Sequence, residues 1–327
     1  MLRSRYALAS LALALHCATA AAQVADYPSK TITVTLVLAA GTGLDVVART
    51  WGEQLALSLG RPVIFDNRPG ANGIVAANVV KNAAADGHTL LVGTSASLAV
   101  NQTTYKQLPY DAAKDFIPLS LYLKSPFILI VHPSLPVRSV KELAAYVKAR
   151  PGQLSYSSTG PGGAPRLATE MFMRHYGLTI THVPYKISPQ AIVDVAAGHV
   201  QLAFAEAGAS RAFIRNQRLR ALAVSSLTRF NSLPEVPTLA QATGRPELEA
   251  VSWHALVAPA ATPRAILNRL HGEMTRILNL PELNKVISNL DLIPVAPASI
   301  ESHQQYIAAE AGKWGDLVSK LGLAGSQ

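Results

Sequence analysis

Downstream of Tyr27, apolar residues follow two alternating rhythms, short continuous runs rich in β-branched residues and longer stretches in which they recur every three to four positions. The first run, Thr31 to Leu38, predicts a buried strand that stops at Ala40-Gly41-Thr42-Gly43. A helix follows from about Leu44 to Leu59, with Val47, Trp51, Leu55 and Leu59 on one stripe and Gly60 as its stop. Pro62 to Phe65 predicts a strand, Asn67 to Gly73 a turn, Ile74 to Ala84 a helix and His88 to Val92 a strand. This βαβαβ order implies a mostly parallel sheet covered by helices. A second unit begins near Phe127, with strands at Phe127–Val131, Leu154–Ser158, Thr179–Val183, Val200–Phe204 and Leu219–Val224. Between them lie a helix opened by the capping box Ser139-Val140-Lys141-Glu142, one ending at Tyr176, and one over Pro189–Ala197. The segment Thr238–Thr243 reads as a short helix, Val251–Val257 as a strand, and Thr262-Pro263 as an N-cap with Pro at N1. A long terminal helix places Ile300, Ile307, Trp314 and Leu321 on one face. The pattern describes two α/β lobes, the first built from both ends of the chain.

Residues 1–22 have the pattern of an export signal: Arg3 and Arg5, an apolar run from Ala7 to Leu15, then small residues, with cleavage expected after Ala20 or Ala22. The competing reading, a membrane anchor, needs about 20 apolar residues, far more than this run supplies. The lone cysteine, Cys17, falls within the signal, and Ala14-Leu15-His16 before it is a poor match to a lipoprotein box. The processed chain therefore has no thiol for catalysis. Removing Arg3 and Arg5 lowers Lys+Arg from 29 to 27 against 20 acids, so the net charge falls from +9 to +7. That excess favours encounter with anions. No basic run or aromatic-basic platform accompanies it, so nucleic acid is not an expected partner.

In open parallel sheets, ligands sit beyond the carboxyl ends of the strands, against helix N-termini. The loops Gly41-Thr42-Gly43, Gly93 to Ser97 and Ser158 to Gly163 have that position, and their glycines and hydroxyls suit a carboxylate or other small oxyanion. Tight turns and helix caps use the same residues. The dinucleotide fingerprint fails at Val46, where its third glycine belongs, and no phosphate-binding G-x-x-x-x-G-K-[ST] loop, H-E-x-x-H or G-x-S-x-G occurs. His132, His182, His199, His254 and His271 lack metal-ligand spacing, so neither metal nor cofactor is expected.

Several uncommon strings stand in order: Gly43-Leu44-Asp45-Val46-Val47-Ala48-Arg49, Asn67-Arg68-Pro69-Gly70-Ala71, Asp86-Gly87-His88-Thr89-Leu90-Leu91, Leu108-Pro109-Tyr110-Asp111, Val183-Pro184-Tyr185-Lys186 and Leu233-Pro234-Glu235-Val236-Pro237-Thr238. With them the chain resembles the substrate-binding receptors of tripartite tricarboxylate transporters, the Bug-type periplasmic proteins, from Tyr27 almost to its C-terminus. The resemblance implies a type II periplasmic-binding-protein fold, two α/β lobes joined by a hinge with a ligand cleft between them. The expected lobes are residues 27–125 with 250–327, and 126–249. It further implies a monomeric, periplasmic, non-enzymatic receptor. Its ligand would be a small mono- or dicarboxylate, amino-, hydroxy-substituted and aromatic acids included, delivered to membrane transporter subunits.

Carried over by position, the ligand residues would be Gly41, Thr42, Gly43, Asp45, Thr94 and Ser95 in one lobe, and Ser158, Thr159, Gly160, Gly162, Gly163, Arg166, Tyr185, Ala205 and Glu206 in the other. Trp253 would cover the ligand or, equally, serve as a core aromatic. Family ligands are held by backbone amides, hydroxyls and waters rather than an arginine clamp. The sequence departs from the family where the ligand would lie: Ala40-Gly41-Thr42-Gly43 stands for Pro-Gly-Gly-Gly, Gly163 for Thr or Ser, Arg166 for His, Ile187 for Gly, Ala205 for Asp, and Glu206 for Asn, Asp or Ser. A Glu206 facing the cleft would favour a ligand with a donor, whereas at the rim it would be merely solvated. Two rival functions remain, a ligand sensor docking on a membrane sensor and an exported hydrolase with a cleft Ser or Asp.

Overall fold

Ile32, Val34 and Leu36 are fully buried, as an interior strand requires, and form β1 (Ile32–Leu36) in the computed structural model, which describes residues 27–160 and 162–327. The candidate export segment and Cys17 lie outside the described residues. In α1 (Gly43–Leu59) the expected stripe Val47, Trp51, Leu55 and Leu59 is buried, and Gly60 ends the helix in the left-handed conformation at φ 67°. Gly52 shares that face: a Cβ there would lie 2.2 Å from the Phe65 ring, so the glycine permits the close approach of α1 to the next strand, β2 (Val63–Asn67). After α2 (Ile74–Lys81) comes β3 (Thr89–Thr94); β1 pairs in parallel with both β2 and β3.

The next strand departs from expectation. β4 (Phe116–Val131) has 16 residues and starts at Phe116 rather than near Phe127. Pro118, Ser120, Lys124, Ser125 and Pro126 interrupt the apolar run that would have revealed its first half, and the register shifts twice there, between Pro118 and Ser120 and between Leu121 and Leu123.

Beyond β4 come α3 (Val140–Lys148), β5 (Ser155–Ser158), α4 (Ala164–Tyr176), β6 (Thr181–Pro184), α5 (Ser188–Ala196), β7 (Leu202–Glu206), α6 (Ala207–Arg215) and β8 (Arg220–Val224). The Ser139 hydroxyl caps α3, accepting from the Glu142 amide, while the Glu142 carboxylate accepts from the Arg138 amide instead of closing the expected box on Ser139. β9 (Val251–Pro259) then returns beside β4, followed by α7 (Arg264–Leu278), α8 (Pro281–Asn289), β10 (Ile293–Pro294) and α9 (Ile300–Lys320). Pro263, not Thr262, occupies the cap of α7; the Thr262 hydroxyl is buried without a partner.

β4 is the shared strand. From Phe116 to Pro126 it pairs antiparallel with β9, whose other edge meets β3; from Phe127 to Val131 it pairs with β7 and β8. β5 lies between β7 and β6 in parallel. Two-lobed α/β architecture follows directly, since one continuous strand feeds two sheets with different neighbours. One hydrophobic core spans both, bringing Leu91, Trp253 and Trp314 into continuity with Tyr156, Phe172 and Leu202. Separate cores under α1 with α7, and under α5 with β8, complete the lobes.

Candidate functional site

A cavity of about 620 Å3 opens between the loops of the two sheets. Its floor is made of three cross-strand pairs, Thr94 opposite His254, Ser125 opposite Ser252 and Phe127 opposite Glu206. The period of two along β9 turns Ser252 and His254 toward the cavity and Trp253 to the opposite face. Trp253 is therefore a core residue: it is fully buried and its indole donates to Glu310 at 3.0 Å. For the same reason Ala205, one position before Glu206 on β7, packs in the core and does not line the cavity.

Helix starts form the walls. α1 arrives through Thr42 and Leu44, α2 through Gly73, α4 through Gly163 and Ala164, α5 through Ile187 and Ser188, and α6 through Glu206. Thr42 caps its helix by accepting from the Asp45 amide, whereas Gly73, Gly163, Ile187 and Glu206 give no side-chain bond to theirs. First-turn amides without side-chain caps and the positive ends of several helix dipoles therefore surround one volume, an arrangement suited to an anion. Among the described residues, the exposed Lys186 is the single Lys or Arg on the lining.

Of the residues expected from sequence, Thr42, Thr94, Thr159, Gly160, Gly163, Tyr185 and Glu206 line the cavity. Gly41, Gly43, Asp45, Ser95, Ser158, Gly162, Arg166, Ala205 and Trp253 do not. Most of these shape the lining from behind. The buried Asp45 carboxylate accepts from the Gly41 amide, Arg49 and Asn67, which pins the first loop and occupies an amide expected for the ligand. Burial alone would raise the Asp45 carboxyl, but these donors hold it below the usual carboxylate range. Ser95 shares a hydrogen bond with Ser252 at 2.9 Å and so orients a floor hydroxyl. Ser158 is buried and bonded to His182 Nε2 at 2.7 Å, fixing the turn before Gly160. A Cβ on Gly163 would lie 2.8 Å from Thr159 Oγ1, so a side chain there would displace that hydroxyl. Arg166 pairs with Glu170, which accepts from the Tyr156 hydroxyl behind β5. The Tyr185 hydroxyl donates to Asp194 at 2.6 Å, and burial with that carboxylate pushes it up to about 12.

Two floor residues carry unspent polar capacity. Glu206 occupies the N-cap of α6 but accepts nothing from that helix, and among the described residues its carboxylate has no hydrogen-bond or ion-pair partner. Burial raises its pKa. His254 is 1% exposed, its Nδ1 lacks a partner, and burial pushes it down to about 3, so the ring is neutral. Sequence reasoning missed Asn72, Tyr105, Ser125, Phe127, Ser252 and the cavity role of His254. The signal for Asn72 was present, since the turn after β2 also leaves the carboxyl end of a parallel strand. No group of three or more His, Cys, Asp or Glu able to hold a metal occurs among the described residues, and no described helix is long and apolar enough to cross a membrane.

Residues 47–323 match the model of the tripartite tricarboxylate transporter family receptor. The chain belongs to this family. It is 34% identical over 297 residues to protein BugT of Bordetella pertussis, covering 90% of each chain. It is 33% identical over 324 residues to a protein encoded between tcbD and tcbE in Pseudomonas sp. P51, covering 99% of this chain and 96% of that one. Among solved structures it resembles an R. palustris protein with adipate, at 32% identity and TM-score 0.84 over 91% of this chain and 99% of the other. MatC of Rhodopseudomonas palustris with bound malate gives 28% identity and TM-score 0.80 over 89% and 100%. These likenesses establish the periplasmic-binding-protein fold, and the family match makes the chain a receptor of the tripartite tricarboxylate transporter family.

Proposed function

We infer that this protein works in the periplasm, closes its two lobes over a small organic carboxylate and delivers it unchanged to membrane transporter subunits. The observation that carries this reading is the convergence of helix N-termini from both sheets on one cavity whose lining, among the described residues, holds a single, exposed cation. A carboxylate there replaces water on the free amides without a buried arginine to neutralise it. The lobes are assigned to residues 27–125 with 250–327, and 126–249, because β4 exchanges β9 for β7 between Pro126 and Phe127. Thr42, Thr94, Thr159, Gly160, Gly163 and Tyr185 are the assigned contacts; Gly41, Asp45, Ser95, Ser158 and Gly162 hold their loops. The Ser158–His182 pair is the arrangement a hydrolase would use, but Ser158 is 2% exposed and lies off the lining, which favours a structural role.

The test is a thermal-shift screen of the mature protein against mono-, di- and tricarboxylates, aromatic acids and amino acids. A ligand at 100 times its Kd adds about 2.7 kcal/mol, an expected rise of roughly 5 °C or more for a chain of this size. A bound acid recovered chemically unchanged supports the reading; turnover of that acid would overturn it.

A further inference from the structure

We propose that the solute is a small aminocarboxylate, its carboxylate held at the helix N-termini and its ammonium group held by Glu206 on the cavity floor. The inference rests on the carboxylate-receptor reading and refines it. A half-buried carboxylate without a partner is costly to retain, and Glu206 sits on the lining with none among the described residues. Its own helix does not use it: α6 begins at Glu206, yet the side chain accepts no bond from that helix's amides.

The neighbours fit a cation rather than a second anion. Glu206 stands opposite Phe127, two positions along β4 from Ser125, which itself faces Ser252. Hydroxyls accept from an ammonium as readily as they donate to a carboxylate, so the serines are neutral in the choice. The neutral His254, with a free ring nitrogen, likewise offers no positive charge. Glu206 decides it: a ligand carboxylate beside it would meet like charge with only the exposed Lys186 among the described lining residues to offset it, whereas an ammonium forms a charge-assisted hydrogen bond. The lining thus offers amide donors at the starts of α1, α2, α4 and α5 and an unpaired acceptor at Glu206.

Calorimetric titration of the mature protein with 4-aminobutanoate, 5-aminopentanoate, 6-aminohexanoate, aspartate and glutamate, against succinate, glutarate and adipate, tests this. At least one amino acid is expected to bind about tenfold or more tightly than the dicarboxylate of equal carbon number. Glu206→Gln should erase that preference while leaving dicarboxylate affinity equal or improved, and Glu206→Asp, which keeps the charge, should retain part of it. Equal or tighter binding of dicarboxylates to the unmodified protein, or a preference that survives Glu206→Gln, overturns the proposal with the receptor reading intact. If no carboxylic acid of any kind binds either protein, the receptor reading itself fails and takes this inference with it.

Discussion

Glu206, the proposed anchor for an ammonium group, is held against the interest of the empty fold. Burial raises its carboxyl, so the folded protein binds that proton more tightly than the unfolded chain does. A raised acid contributes stability below its unfolded value, and that contribution is lost as pH rises through the folded value. At neutral pH that contribution is diminished, so the side chain disfavours the ligand-free receptor. Glu206→Gln is expected to raise the Tm of the empty protein at pH 7 to 8, with the gap between the two proteins closing below about pH 4, near the unfolded carboxyl value. Melting curves across that range check it; a variant less stable at pH 7 would contradict the account. Sequence alone identified Glu206 as a departure from its family but not which way it pointed, because direction depends on the β7 register against β4. The same limit explains Trp253: its position beside the cleft was legible, yet alternation along β9 gave the cavity face to Ser252 and His254.

At the scale of elements, the sequence was most legible where one helix or strand carries its own signal. The stripe and glycine stop of α1 and the parallel runs of β1 to β3 are local patterns, and they formed as expected. β4 was only half legible because its first half derives its strand character from pairing with β9, which tolerates Pro118 beside a shift in register and Pro126 at the end of the pairing. α9 depends on a contact that no spacing announces. One Glu310 oxygen accepts from both the Trp314 indole on its own helix, at 2.8 Å, and the Trp253 indole on β9, at 3.0 Å. Glu310→Ala strands two buried indole donors and is expected to cost about 1–3 kcal/mol, read as a lower urea midpoint with a shift in tryptophan emission. Glu310→Gln, which keeps an acceptor, should lose less; equal losses would assign the effect to the charge rather than to the hydrogen bonds.

Across the whole molecule, the proposed lobes meet again away from the shared strands. Arg211 on α6 pairs with Asp291, which follows α8, and Ser232 donates to the same carboxylate oxygen at 2.7 Å. Leu290, the neighbour of Asp291, lies against the start of α1, where a Cβ on Gly43 would be 3.4 Å from its side chain. This short segment thus joins the α6 side of the cleft to the N-terminus of α1. Its partners stand 59 and 80 residues apart, a separation that leaves no trace in sequence pattern. Asp291 is 2% exposed, so losing its carboxylate leaves the Arg211 charge without its partner at a boundary between lobes. Because a ligand shifts lobe closure only by binding the closed form better, removing a contact that draws the proposed lobes together should act like a tax on affinity. Asp291→Ala is expected to enlarge the radius of gyration of the ligand-free protein in X-ray scattering and to weaken solute binding about tenfold, with saturating solute restoring the compact value. A variant that melts earlier but scatters and binds as the parent does would make the Arg211–Asp291 pair a local brace rather than a link between lobes.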